Sequence, residues 1–143
     1  MIALPPALIL GIGTDLCDMN RIAETLDRFG QRFRDRLFTE EEQARCERRA
    51  GRARLGAYAQ RFAAKEACAK ALGTGFRMGV YWRDLRTSSL PTGQPLITVH
   101  GGAAERLAHL TPVGMVARLD VSMTDEDPMA HAMVIISAIP PGR

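Results

Sequence analysis

The apolar positions change period along the chain, and each change marks an element. Ala7 to Cys17 opens with a continuous apolar run, ALILGIG, and reads as a strand. Gly11 and Gly13 are two apart, so they share a face and leave room for backbone or a ligand to come close. Asp15 continues their parity at the end of the run, where an acid can be a ligand, a helix cap or a turn residue. Arg21 to Phe29 switches to helical spacing, with Ile22, Leu26 and Phe29 as its stripe, Asp18 or Asn20 as cap and Gly30 as stop. Thr39-x-x-Glu42 is a capping box, with Glu40 and Glu41 where the helix dipole favours them. That helix should run to about Arg49, and Gly51 should break it.

The next stretch, RLGAYAQRFAAKEACAKAL from Arg54 to Leu72, organises the rest. It is made of good helix formers, holds no Pro or β-branched residue, and is stopped by Gly73-Thr74-Gly75. Leu55, Tyr58, Ala59, Phe62, Ala63 and Ala69 give it a buried side. Glu66, four residues past Phe62, lies about 40° round the axis, at the edge of that side. An acid there needs a partner, since burying an unpaired charge is costly. Lys65 and Lys70, the only two lysines in the chain, flank it, and Arg61 borders the same turns. Spacing alone leaves two readings open: a surface Glu–Lys pair worth ~0.2–0.5 kcal/mol, or a site.

Beyond the glycine turn, Tyr81 to Leu90 reads as a strand with Trp82, Leu85 and Thr87 as inward groups. Pro91-Thr92-Gly93-Gln94-Pro95 connects it to Leu96–Val99 as a hairpin. Ala103 to Leu110 is a short helix, Met115 to Met123 a strand, Thr124 to Pro128 an acidic turn, and Ala130 to Ile139 the last strand. The order β-α-α-α-β-β-α-β-β implies an α+β domain, a mainly antiparallel sheet with helices packed on one side.

Composition sharpens this picture in three ways. At 143 residues, with 46% apolar and 24% charged, the chain fits one soluble globular domain. The net charge of +3 is unevenly spread: residues 21–86 hold sixteen of the nineteen Lys and Arg against nine acids. Such a lobe favours an acidic protein, a phosphate-rich small molecule or nucleic acid. Cys17, Cys46 and Cys68 are odd in number and lack CxxC spacing, which suits a reducing cytosol. The N-terminal apolar run has no basic flank and is broken by glycines, so a cytoplasmic protein with no signal peptide and no membrane span is expected. His100, His109 and His131 are too scattered to suggest a metal site.

Two segments together, GIGTDLCDMNRI (Gly11 to Ile22) and RFAAKEACAKALGTG (Arg61 to Gly75), resemble the holo-acyl-carrier-protein synthases, the short, single-domain 4′-phosphopantetheinyl transferases. PTGQP and DVSMTDEDPMAHAMVII resemble that family's hairpin and C-terminal segments, so the likeness covers nearly the whole chain. The resemblance implies Mg²⁺-dependent transfer of the 4′-phosphopantetheine arm of coenzyme A to a serine of apo-acyl carrier protein, in support of fatty acid biosynthesis. It further implies Asp15 and Glu66 as metal carboxylates, with Lys70 beside them in catalysis. Lys65, Lys70, Arg61, Gly73 and Thr74 would contact coenzyme A, and Arg21 and Arg28 would dock the carrier protein. A homotrimer with interfacial active sites is expected by the same likeness. Many members carry a histidine where this chain has Asp125, which leaves Glu66, a metal-bound water or Asp125 itself as the base, with Glu66 acting through water favoured and Asp125 otherwise in a supporting or a turn role. The rival reading is a small basic α+β nucleic-acid-binding domain. Against it, adjacent Tyr81 and Trp82 face opposite ways and make no base platform.

Overall fold

The computed structural model describes residues 6–142. The first five residues of the N-terminal apolar run lie outside it. Strand β1 (Leu8–Asp18) leads into α1 (Met19–Phe29), α2 (Gln31–Leu37), α3 (Glu40–Glu47) and the long α4 (Gly51–Ala71). Then follow β2 (Leu85–Ser89), β3 (Pro95–Val99), α5 (Gly101–Leu110), β4 (Val116–Glu126) and β5 (Met129–Ile139). All strand pairs are antiparallel, in a three-stranded sheet ordered β1-β5-β4 and a separate β2-β3 hairpin. The architecture is the expected α+β arrangement.

Four differences from the sequence expectation have local causes. There are four helices before β2, because QRFRDRL forms α2, a helix of seven residues whose one buried side chain is Leu37. So short a stripe has no readable period. Tyr81–Leu90 is a strand only from Leu85, since Trp82–Asp84 is a single 3-10 turn. Gly51 opens α4 rather than merely separating it from α3, with a left-handed φ of 57° at the entry. Finally, β4 runs on to Glu126, so Thr124 and Asp125 are strand residues paired with His131 and Ala130. The turn is confined to Asp127 and Pro128, which also leaves Asp125 outside it.

Helix α4 lies across one face of the three-stranded sheet. Ala57, Ala59, Ala63, Ala64, Ala67 and Ala71 are buried along it, and a helix apolar nearly all round is a core helix. The small side chains let its backbone meet the sheet directly. A Cβ at Gly11 would fall on the Ala71 carbonyl, and one at Gly13 on the Ala67 carbonyl. The face cleared by these glycines therefore receives backbone, not ligand. Ala130, Ala132, Val134 and Ile136 of β5 complete this layer and are all buried. The opposite face of the sheet is open and apolar: Ile9, Ile12, Leu16 and Met133 are all exposed.

Candidate active site

Because Asp15 shares the parity of Gly11 and Gly13, it projects from β1 toward α4 one step past the point of closest approach. It meets Lys70, whose Nζ donates to Asp15 Oδ1 at 2.9 Å and to the Thr14 carbonyl at 3.0 Å. The Asp15 side chain is 11% exposed and its Oδ2 is buried without a protein partner. Glu66, one helical turn before Lys70, brings a second carboxyl to the same place. Partial burial and the negative charge of Asp15 beside it push Glu66 up to about 7, while Lys70 opposes the shift. The hydrogen bond that Lys70 donates to Asp15 also holds Lys70 above its ordinary value.

Two neighbouring, partly buried carboxyls, one with an orphaned oxygen, are a donor set of the kind a hard divalent cation takes. Such an ion takes oxygen ligands and keeps places for water and substrate phosphate, as Mg²⁺ does. Among the described residues no group of three His, Cys, Asp or Glu side chains converges. The places left by Asp15 and Glu66 would thus fall to water and substrate.

A cleft of 280 Å³ runs from Glu66 past Cys17, Asp18 and Arg21 to Thr25, Phe33 and Phe62. Asp18 accepts from the Asn20 amide at 2.8 Å and so caps α1, whose first turn carries Arg21 to the mouth of the cleft. The Cys17 thiol is pushed up to about 12 by burial, then by Asp15 and Glu66, which leaves it an inert wall. Arg28 is exposed one heptad further along α1, with its guanidinium 5.1 Å from the Phe29 ring centroid. A neighbouring cleft of 380 Å³ shares Thr25, Phe33 and Phe62 and adds Arg32, Arg36 and Trp82. Its aromatic wall is a stack, with Trp82 3.8 Å from Phe76 and 5.0 Å from Phe62 between ring centroids.

Not every expected residue joins this group. Lys65 is fully buried and points away from the cleft, bonded to Glu42 at 2.8 Å, to the Trp82 carbonyl at 3.1 Å and to the Leu85 carbonyl. An ammonium has three donors, and all three are used. Lys65 is therefore not a phosphate contact, a correction that follows from its side of the helix. Arg61 donates to the Ala57 carbonyl at 3.0 Å, lies near Cys46, and does not line the cleft that Glu66 borders. Gly73 is exposed with φ 79°, and Thr74 is buried with its hydroxyl donating to the Gly75 carbonyl. Both follow the end of α4, where Arg106 of α5 donates to the Leu72 carbonyl at 2.9 Å. The Asp125 carboxylate fills the space a side chain at Gly56 would take, next to the Met19 methyl, and does not line the Glu66 cleft.

Sequence reasoning missed Glu42 as a buried partner, and it missed the Phe62–Trp82–Phe76 wall. The capping box accounts for Glu42 locally and gives no hint that its carboxylate is buried. The wall joins residues from α4 and the segment before β2, which have no periodic relation.

Comparison with known proteins identifies the family. The family model described as the 4′-phosphopantetheinyl transferase superfamily matches residues 11–125. A holo-[acyl-carrier-protein] synthase of Methylobacterium radiotolerans is 62% identical over 133 residues, 93% of this chain and 96% of that protein. One from Rhodopseudomonas palustris is 58% identical over 135 residues, 93% and 92% of the two chains. The crystal structure of the holo-[acyl-carrier-protein] synthase of Neisseria meningitidis has a TM-score of 0.78 at 34% identity, covering 90% of this chain and 98% of that one. That of Helicobacter pylori, in complex with coenzyme A, has a TM-score of 0.73 at 28% identity, covering 87% and 98%. With the family model spanning most of its length and relatives this similar end to end, the chain belongs to the 4′-phosphopantetheinyl transferase superfamily and, within it, to the holo-acyl-carrier-protein synthases.

Proposed function

We propose that the protein carries out its family's reaction, moving the 4′-phosphopantetheine arm of coenzyme A to a serine of apo-acyl carrier protein, with Asp15, Glu66 and Lys70 as the working group. The observation that carries the assignment of residues is the convergence of these three side chains at one end of the α4–β1 contact, with Asp15 Oδ2 left without a partner. The serine oxygen forms a new bond to the phosphorus that bears pantetheine. The bond from that phosphorus to the bridging oxygen breaks, and adenosine 3′,5′-bisphosphate leaves. Asp15 and Glu66 would hold Mg²⁺, which supplies charge stabilisation on the pyrophosphate as it reacts. Lys70, about half exposed and fixed by Asp15, reaches a phosphate oxygen and steadies the leaving charge. Glu66 acts on the serine proton through a water that it orients. Gly73 and Thr74 approach coenzyme A from the end of α4, while Arg61 serves it only at the periphery.

Arg21 and Arg28 offer the acidic carrier protein two cations on one side of α1, beside the cleft that holds Glu66. The open sheet face supports self-association. Ile9 and Ile12 are 72% and 61% exposed, an apolar patch that a homotrimer with interfacial active sites would cover. Asp125 then supports a site shared between subunits by orienting a cation or a water. No helix among the described residues is long and apolar enough to cross a membrane, which fits a cytoplasmic enzyme. The test is direct: incubation with apo-acyl carrier protein, coenzyme A and Mg²⁺ should add the mass of the arm to the carrier protein and release the bisphosphate. An unchanged carrier protein would overturn the reading.

A further inference from the structure

Lys65 and Glu42 are both fully buried, and neither lines the cleft that Glu66 borders. One Glu42 oxygen accepts from Lys65 at 2.8 Å and from the Thr39 amide at 2.9 Å. The other accepts from the Thr87 amide at 3.1 Å and from the Thr87 hydroxyl. With the Trp82 and Leu85 carbonyls on Lys65, one closed network joins the start of α3, the middle of α4 and the entry to β2.

Such a pair is an inefficient way to stabilise a core, because well-packed apolar side chains of similar volume often do as well or better. What it supplies is directional fixing of three elements far apart in sequence. Two of the fixed points border the cleft. Lys65 immediately precedes Glu66, and Trp82, whose carbonyl Lys65 holds, stacks on Phe62, which lines the same cleft as Glu66.

Resting on the function proposed above, we propose that Lys65 and Glu42 are positioning residues for the transfer. Their ion pair sets the turn of α4 that carries Glu66 and the aromatic wall facing it, without touching coenzyme A. Removing either member releases the same constraint, so the two act as a unit.

The test uses the full chain with Lys65→Met, Glu42→Gln and the double variant, assayed below their melting temperatures. The expected result is a fall of about tenfold or more in kcat for each single variant, the scale of a sub-ångström to ångström misplacement. The Mg²⁺ half-saturation point should rise, and the KM for coenzyme A should stay within about twofold. The double variant, which leaves no unpaired buried charge and so keeps the test alive if a single variant does not fold, should be as slow as either single. A double variant that turns over like wild type would reduce the pair to a structural role and overturn the proposal. A selective tenfold rise in the coenzyme A KM for Lys65→Met alone would overturn it in favour of a direct phosphate contact. Failure of the wild-type protein to modify the carrier protein would instead remove the function on which the proposal rests.

Discussion

Replacing Glu66 by Gln should abolish transfer and at the same time stabilise the metal-free protein. The Glu66 carboxyl is raised from 4.5 to about 7 by partial burial and by Asp15 beside it. A folded-state value above the unfolded one means that the native protein binds the proton more tightly. Stability is therefore highest below 4.5 with respect to this group and is lost as pH rises from there through 7. At 1.36 kcal/mol per unit, the full shift would correspond to ~3.4 kcal/mol. Glu66 is only half-buried, and solvent screening reduces this to ~1–2 kcal/mol. Gln carries no charge at any pH and can donate to Asp15, so it removes the penalty. For a domain of this size the gain amounts to ~3–8 °C in Tm at pH 8. The assay is thermal melting in chelator at fixed protein concentration, from pH 5 to pH 8. The difference between Glu66→Gln and wild type should be largest at pH 8 and shrink toward pH 5, where Glu66 is itself protonated. Added Mg²⁺ should raise the wild-type Tm at pH 8 and leave the variant nearly unmoved. A variant less stable than wild type at pH 8, or a difference that does not change with pH, would refute the reasoning.

Other consequences can be checked with standard kinetics and melting. In transfer assays Arg21→Ala and Arg28→Ala should raise the KM for carrier protein by about tenfold and leave that for coenzyme A unchanged, and added salt should reproduce part of the defect in wild type. Gly13→Ala should destabilise by ~3 kcal/mol or more, seen in chemical denaturation, because its Cβ falls on the Ala67 carbonyl and backbone must move. If the open sheet face is buried in the proposed trimer, Ile12→Asp should lower the mass seen in light scattering to that of the monomer without unfolding the protein. In pH–rate profiles Asp125→Ala should lower turnover about threefold and Asp125→His should restore it by supplying a group that titrates near neutrality.

Much of this fold was legible because its elements are punctuated by strong local signals. The capping box at Thr39 forms as its spacing dictates, with both reciprocal hydrogen bonds present. The α4 stretch is helical to within three residues of the expected start because nothing in it opposes a helix. Parity along β1 put Asp15 on the same side as Gly11 and Gly13, which is why it meets α4. Spacing on a helix, by contrast, says which side chains share a face and not what the face meets. Lys65 and Glu66 are adjacent and both polar, yet a rotation of about 100° sends one into the core and the other to the cleft. The partner that decides this, Glu42, is 23 residues earlier and carries its own complete local explanation as the third residue of α3. Asp125 was misplaced for a similar reason. A run of three acids before Pro128 reads as a turn, whereas register with β5 holds the first two in the ladder.

The most direct measurement of the central claim is the Mg²⁺ dependence of carrier-protein modification, followed by mass, for wild type, Asp15→Asn and Glu66→Gln under single-turnover conditions. Wild type should convert apo to holo carrier protein with a saturable dependence on Mg²⁺. Each variant should be slower by roughly a thousandfold or more at the Mg²⁺ level that saturates wild type, since losing one charged ligand removes several kcal/mol of transition-state stabilisation. Near-normal conversion by either variant at ordinary Mg²⁺ would contradict the assignment of these two carboxylates as the metal site.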